Sequence, residues 1–311
     1  MEWIVLRNYP GTTPKKIKKN KELTGKKMKK LLALIIVAST ISAAKAEDFG
    51  LWTDIGISQN LGVRGLSAEI GYDLRMNNHL KGVTRRSFNA GLNYSLTHFF
   101  KVGASYAYIY SFNVGEREEK YKTDDDGNID YDQWKGYNFT HSYWRNKHRF
   151  IAYVKGDIDV GRFNLSLRER YHHTIFQHGK AVEDKYRYNM IYDEDDNISY
   201  ELKGGYPESE DDYKRSKVKD YLRQKMELSY NIRHCPITPD VSVEMENNLH
   251  KAFHIDEMRY VAGAEWKITK KYHLGLHYHY HKGVGDDEDG NLHAIEFSLK
   301  IKNPFWKAKK Y

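Results

Sequence analysis

Charged side chains recur at every second position along several stretches of this 311-residue chain. Arg168 and Arg170 alternate in this way, as do Arg223 and Glu227, Glu244 and Glu246, and Arg259 and Glu265; Glu69 lies in an earlier stretch of the same kind. Guanidinium and carboxylate groups at that spacing meet across neighbouring strands as ion pairs. Gathered around an enclosed space, they line it for small charged solutes. The plainer alternative is an ion-pair network that only fills the space. Arginines and glutamates are close to balanced in this set, which predicts weak ion preference.

A second pattern is the histidine row His277, His279 and His281 in HYHYH, with His273 before it. Alternating imidazoles suit Zn, Cu or Ni. No carboxylate or thiol is spaced along the chain to complete a site, so polar-face histidines are the favoured reading. Acidic clusters recur at Asp124–Asp126, Asp193–Asp196, Glu208–Asp212 and Asp286–Asp289. Asp287 and Asp289 fall at calcium-loop positions around Gly290, but Gly285 fails at the first position. Solvated Asp-Gly turns explain these clusters more simply. No nucleophile elbow, Walker loop or His-Glu-x-x-His motif occurs, and no cofactor is implied. The single cysteine, Cys235, allows no internal disulfide.

The elements that carry these residues are strands. In Arg149–Tyr171, RFIAYVKGDIDVGRFNLSLRERY, apolar Phe150, Ala152 and Val154 alternate with Arg149, Ile151, Tyr153 and Lys155. An Asp159–Val160–Gly161 turn follows, and then Phe163, Leu165 and Leu167 alternate with Arg162, Asn164, Ser166 and Arg168. Period two places alternate side chains on opposite faces of a strand, and the turn makes an antiparallel hairpin. One face collects Leu66, Ala68, Ile70 and Tyr72, then Phe88, Ala90 and Leu92, and later Val241, Val243, Tyr260, Trp266, Leu274 and Phe297. The other collects Glu69, Arg168, Arg170, Arg223, Glu227, Glu244, Glu246, Arg259, Glu265 and His277, while the acidic clusters fall in the connections. A barrel in lipid turns the first face outward and encloses the second.

Eleven strands are predicted, from Gly50–Ser58 to Leu292–Lys302. Short connections alternate with longer ones, of which Asn113–Ser142 and Gln177–Lys217 are the longest. That asymmetry suits short periplasmic turns and longer extracellular loops. Since single-chain bacterial barrels normally hold an even number of strands, ten or twelve are expected. Gly50–Ser58, which would start on the outside, is then expected to lie in the lumen or to pair irregularly.

Residues 31–41, LLALIIVASTI, follow Lys26, Lys27, Lys29 and Lys30 and precede Ala44–Lys45–Ala46. The apolar run is about half the roughly 20 residues of a spanning helix. This is the layout of a secretory signal with cleavage after Ala46. The chain is therefore expected to divide into an upstream extension at 1–27, before Met28, a signal peptide at 28–46 and a single barrel domain at 47–311. The first 46 residues hold eleven Lys and Arg against two acids, leaving 39 against 40. The net charge of +8 thus belongs to the leader, and nucleic acid is excluded as a partner.

The segments FGLWTDIGIS, LSAEIGYDLR, YWRNKHRF, RFNLSLRERY, YLRQKMELSY, PITPDVSVEMEN and DEMRYVAGAEWKITKKYHLGLHY resemble the domain of unknown function 2490 family. The resemblance runs from Phe49 to about Ile301. It implies a Gram-negative outer-membrane barrel, with no established activity. It also implies outer-membrane lipid, lipopolysaccharide and the barrel assembly machinery as partners. The chain departs from the usual barrel ending at Asn303–Pro304, which breaks the last strand ahead of Tyr311.

The expected fold is all-β: an antiparallel up-and-down transmembrane barrel of about 10–12 strands with a charged lumen. The expected function is a structural barrel or a porin-like small-solute channel, not an enzyme. Two alternatives remain open. One is an outer-membrane enzyme acting on lipid or lipopolysaccharide through a serine with His172, His173 or His178. The other is a soluble exported barrel that binds a ligand in an apolar interior.

Overall fold

The computed structural model describes residues 48–77, 79–123, 129–192, 198–284 and 291–305. The division at Ala46, the extension at 1–27, Asp287, Asp289 and Tyr311 lie outside the described residues, as do the clusters around Asp124–Asp126 and Asp193–Asp196.

Among the described residues, alternation in the sequence becomes sixteen strands. They are β1 (Asp48–Asn60), β2 (Leu66–Asn77), β3 (Gly82–Ser95), β4 (Phe100–Asn113), β5 (Glu116–Thr123), β6 (Ile129–Thr140), β7 (Tyr143–Val160) and β8 (Phe163–Phe176). Then come β9 (Gly179–Tyr192), β10 (Ile198–Leu202), β11 (Glu208–Lys214), β12 (Lys217–Tyr230), β13 (Ile237–Asn248), β14 (His254–Lys267), β15 (Tyr272–Gly283) and β16 (Leu292–Lys302). Eleven of them, β1–β4, β7, β8 and β12–β16, close into one barrel. Closure leaves no unpaired sheet edge, which a membrane requires because lipid cannot hydrogen-bond a bare backbone.

The expected even count is overturned. Sequential barrel strands pair antiparallel, so with eleven of them the first and last run in the same direction. The barrel therefore closes on a parallel β1–β16 seam, with Leu51 opposite Ile295 and Ile55 opposite Leu299. β1 is a strand of the wall and not an insert in the lumen. At one end of the seam Asp48 faces Leu292. At the other, the Asn303 side chain accepts from the Asn60 amide at 2.9 Å, and the Asn303 amide donates to the Ser58 carbonyl at 2.7 Å. The break after Lys302 thus fastens the seam.

The connections sort by end. The β1–β2, β3–β4, β7–β8, β12–β13 and β14–β15 turns share one end and are all short. The β7–β8 turn is Gly161–Arg162, one residue later than expected, and Gly161 adopts φ +63°. A two-residue hairpin with a positive φ at its first position matches the right-handed twist of its strands, and glycine takes that conformation without a Cβ penalty.

The two long connections at the opposite end are not loops. They are prolongations of the β4/β7 and β8/β12 hairpins beyond the barrel. β5 and β6 continue the first hairpin, and β9 and β11 continue the second. The two extensions join where Tyr137 of β6 faces Tyr186 of β9. β10 completes a second, five-stranded sheet.

The barrel's faces are inverted relative to a water-soluble core. In β13, Val241 is 53% exposed and Val243 36%, whereas Ser242 and Glu244 are each 6% exposed. Leu92, Phe150, Leu167, Met226 and Phe297 are likewise exposed, and Arg223, Asp73, His172 and Thr174 are buried. The reading of a soluble barrel with an apolar interior is therefore overturned. Aliphatic and aromatic side chains form the outer surface, and charge is enclosed.

Candidate functional site

The enclosed charge is built from alternate positions of each wall strand. Glu244 of β13 is its centre. Arg259 of β14, directly opposite, approaches at 3.1 Å, Arg223 of β12 at 3.4 Å and Arg168 of β8 at 3.8 Å. Arg170 of β8 donates to the same carboxylate. Glu246 pairs with Arg223, and Glu257 takes two bonds from Arg259, at 2.6 and 2.8 Å. Arg168, Arg170, Arg223, Glu244, Glu246 and Arg259 thus form one cluster, although paired members such as Arg170 and Glu244 lie 74 residues apart.

The other three expected lumen residues lie apart from it. Glu69 accepts from Asn93 at 2.9 Å, Glu227 from Lys225 at 2.6 Å, and Glu265 lies 2.7 Å from His273 and 3.4 Å from Lys300. Asn93 is also reached by the Tyr153 hydroxyl across β4. Gly103 lies between the two strands, and a Cβ there would come within 2.6 Å of Tyr153 Cζ and of Asn93 Oδ1.

Two adjoining cavities lie within the lumen. The larger, about 520 Å³, is lined by all eleven barrel strands. Ten arginine and lysine side chains face five carboxylates there. The smaller, about 410 Å³, lies toward the short turns and reverses the balance, with three lysines against five carboxylates. Lys225, Val261, His279, Glu296 and Lys300 border both. The near balance expected from the sequence therefore conceals a separation along the barrel axis. Arginines gather toward the middle and the long-connection end, and carboxylates such as Glu227, Asp240 and Glu265 toward the turns.

Sequence reasoning did not single out Arg85, Arg149 and Glu257. Extending the alternation of β3 outward from Phe88 one further step puts Arg85 inside, and Phe150 does the same for Arg149. Arg85 lies 3.4 Å from Asp73, which Arg75 also approaches, at 3.1 Å. Arg149 donates its Nε to Thr174 Oγ1 at 2.9 Å.

The histidine row faces inward, and each ring has a carboxylate from another strand. His277 lies 3.3 Å from Asp240, His279 lies 3.0 Å from Glu296, and His281 contacts Glu257. These partners are distant in the sequence, so its spacing could not show them. No group of three or more potential ligands able to hold a metal occurs among the described residues. Of the histidines considered as bases, His172 faces the lumen with neither ring nitrogen hydrogen-bonded among the described residues, and His173 faces outward and meets Asp220 at 2.7 Å.

Outside the barrel, Trp134 stacks on Tyr188 at 4.9 Å and Tyr137 on Tyr186 at 4.5 Å, with Arg117 over Tyr137 at 3.8 Å. Bonds from Ser209 and His141 hold the Asp184 carboxyl below the usual carboxylate range. The Trp134 indole and Arg117 do the same for Glu119. Arg145 fastens this sheet's root, donating to the Gln177 carbonyl at 2.7 Å and the Arg215 carbonyl at 2.5 Å.

The family described as "Protein of unknown function (DUF2490)" matches residues 49–290. No curated protein matches the chain. Among solved structures, the chain is similar to the NanC porin at 11% identity, covering 79% of this chain and 92% of that one, with a TM-score of 0.37. It is similar to the beta domain of the Bordetella autotransporter BrkA at 8% identity, covering 76% and 82%, with a TM-score of 0.39. It is also similar to the outer membrane protease OmpT from Escherichia coli at 11% identity, covering 73% and 80%, with a TM-score of 0.33.

Proposed function

The chain belongs to the DUF2490 family of proteins of unknown function, and from that premise we propose that it is an outer-membrane barrel whose lumen admits small charged solutes. The observation that carries this reading is the cavity of about 520 Å³ walled by all eleven strands and dominated by charged side chains, inside a barrel whose outer surface is apolar. A lumen that served only as filler would neutralise its own charge. This one keeps cations in excess at one level and anions in excess at another.

In the proposed orientation the short turns face the periplasm, and the second sheet stands outside the cell. The leader at 28–46 directs export with cleavage after Ala46, the assembly machinery inserts the barrel, and lipid and lipopolysaccharide surround it. The reading assigns a passive role with no catalytic step and no cofactor.

Purified protein in a planar bilayer tests it. The expected result is discrete conductance steps that rectify, because the lumen's charge is separated along its axis. A silent bilayer containing correctly inserted protein would leave a structural barrel and remove the channel.

A further inference from the structure

The arginines that line the larger cavity are not matched by carboxylates. Arg75 and Arg85 share Asp73. Arg168, Arg170, Arg223 and Arg259 share Glu244, with only Glu246 and Glu257 as additional partners. Among the described residues, Arg149 has no carboxylate within ion-pair distance; its recorded side-chain bond goes to neutral Thr174. Arg149 lies close enough to Arg223, Arg259 and Arg75 for mutual repulsion, partly offset by Glu246, and Arg85 is repelled by Arg75, Arg149 and Arg223 and attracted by Asp73.

A guanidinium cannot escape this crowding by losing its proton, because it stays charged at any physiological pH. Buried charge is tolerated only when something pairs with it. His172 lines the same cavity, is 2% exposed, and has both ring nitrogens without a hydrogen-bond partner among the described residues. Arg85 Nε, Arg168 Nε and Arg170 Nε are also buried without a hydrogen-bond acceptor. All of these groups line one cavity, where ten arginine and lysine side chains outnumber five carboxylates.

We infer that this cavity is a binding site for a small, multiply charged oxyanion, held by Arg85, Arg149 and Arg223 with His172 as a further donor. The inference rests on the lumen reading above and names the solute class that the lumen takes. Forked guanidinium groups match the paired oxygens of carboxylate, phosphate and sulfate. A cavity of about 520 Å³ falls within the range of small-molecule sites. The excess of cations favours a dianion or trianion over chloride.

The test is calorimetric titration of detergent-folded full-length protein with inorganic phosphate, sulfate and citrate at constant ionic strength, with chloride as the comparison. The expected result is saturable binding of the multivalent anions and none of chloride. Arg149→Gln and Arg85→Gln should each weaken it by about tenfold or more, since a bond to a charged group is lost. Arg149→Lys keeps the charge and loses the fork, so it should bind with intermediate strength and provides a variant should Arg149→Gln fail to fold. Lys120→Gln, in the outer sheet, should bind as the parent does.

Absence of saturable binding in the parent, or unchanged binding in the Arg85→Gln/Arg149→Gln double variant, overturns the site. The two proposals fail separately. Conductance without saturable binding removes the site and leaves the channel, whereas binding in a barrel that does not conduct removes the channel and leaves the site.

Discussion

Arg259 and Glu244 occupy directly opposed positions on β14 and β13, with 3.1 Å between guanidinium and carboxylate. Three further arginines reach the same carboxylate, so Glu244 neutralises a site where three strands deliver four positive charges. Removing one side of a buried pair costs more than forming it gains, because the remaining charges stay desolvated. Glu244→Gln should therefore destabilise the barrel by about 3 kcal/mol or more. Denaturant unfolding in detergent, followed by heat-modifiable gel mobility, measures this. A loss below about 1 kcal/mol would mean that water or bound anions already neutralise the cluster.

Leu92 points outward between Ala68 and Ala104 and is 52% exposed. If that surface meets hydrocarbon, Leu92→Arg should cost about 2–4 kcal/mol near the bilayer centre and reduce insertion into vesicles. Asn89→Ser, on the inner face of the same strand, should insert normally. A Leu92→Arg protein that folds equally well and stays soluble without detergent would contradict the lipid-facing assignment.

The parallel seam makes a prediction that no antiparallel closure shares. Leu51 faces Ile295, and Ile55 faces Leu299. In a Cys235→Ser background, cysteine pairs at 51/295 and at 55/299 should both form disulfides under mild oxidation. Antiparallel pairing would bring at most one of the two pairs together, because the partners would then diverge along the strands. Gel mobility before and after reduction distinguishes the outcomes.

The outer sheet should respond to acid. Ser209 and His141 hold the Asp184 carboxyl below the usual carboxylate range. A group whose folded pKa is depressed adds stability that is fully present above its unfolded pKa. That stability is lost as pH falls through the folded value. Pairing of β11 with β9 should therefore loosen on acidification below the ordinary carboxylate range, while the barrel ladder persists. Amide exchange across β11 as a function of pH reports this, and Asp184→Asn should remove the acid-dependent part. An identical pH profile in that variant would refute the assignment.

Much of the barrel was legible one strand at a time. Alternation is a local property with period two, so the sequence determined which side chains share a face and which face is apolar. Val241, Ser242, Val243 and Glu244 needed no tertiary information to be assigned. Eleven strands and the short turns followed from the same pattern, although the place of the first strand in the wall did not. The residue spacing of the long connections concealed five further strands, because β5, β6, β9, β10 and β11 pair across segments and depend on one another for partners.

What only the tertiary structure decided was adjacency across the closed wall. An odd number of strands forces a parallel seam, a consequence of closure that no single segment records. Arg170 meets Glu244 from 74 positions away, and each histidine of the row meets a carboxylate from a different strand. Composition recorded a near balance of charge. Strand register instead set the height of each charged side chain along the axis, and register arises from long-range backbone pairing. That pairing gathered the arginines at one level and the carboxylates at another.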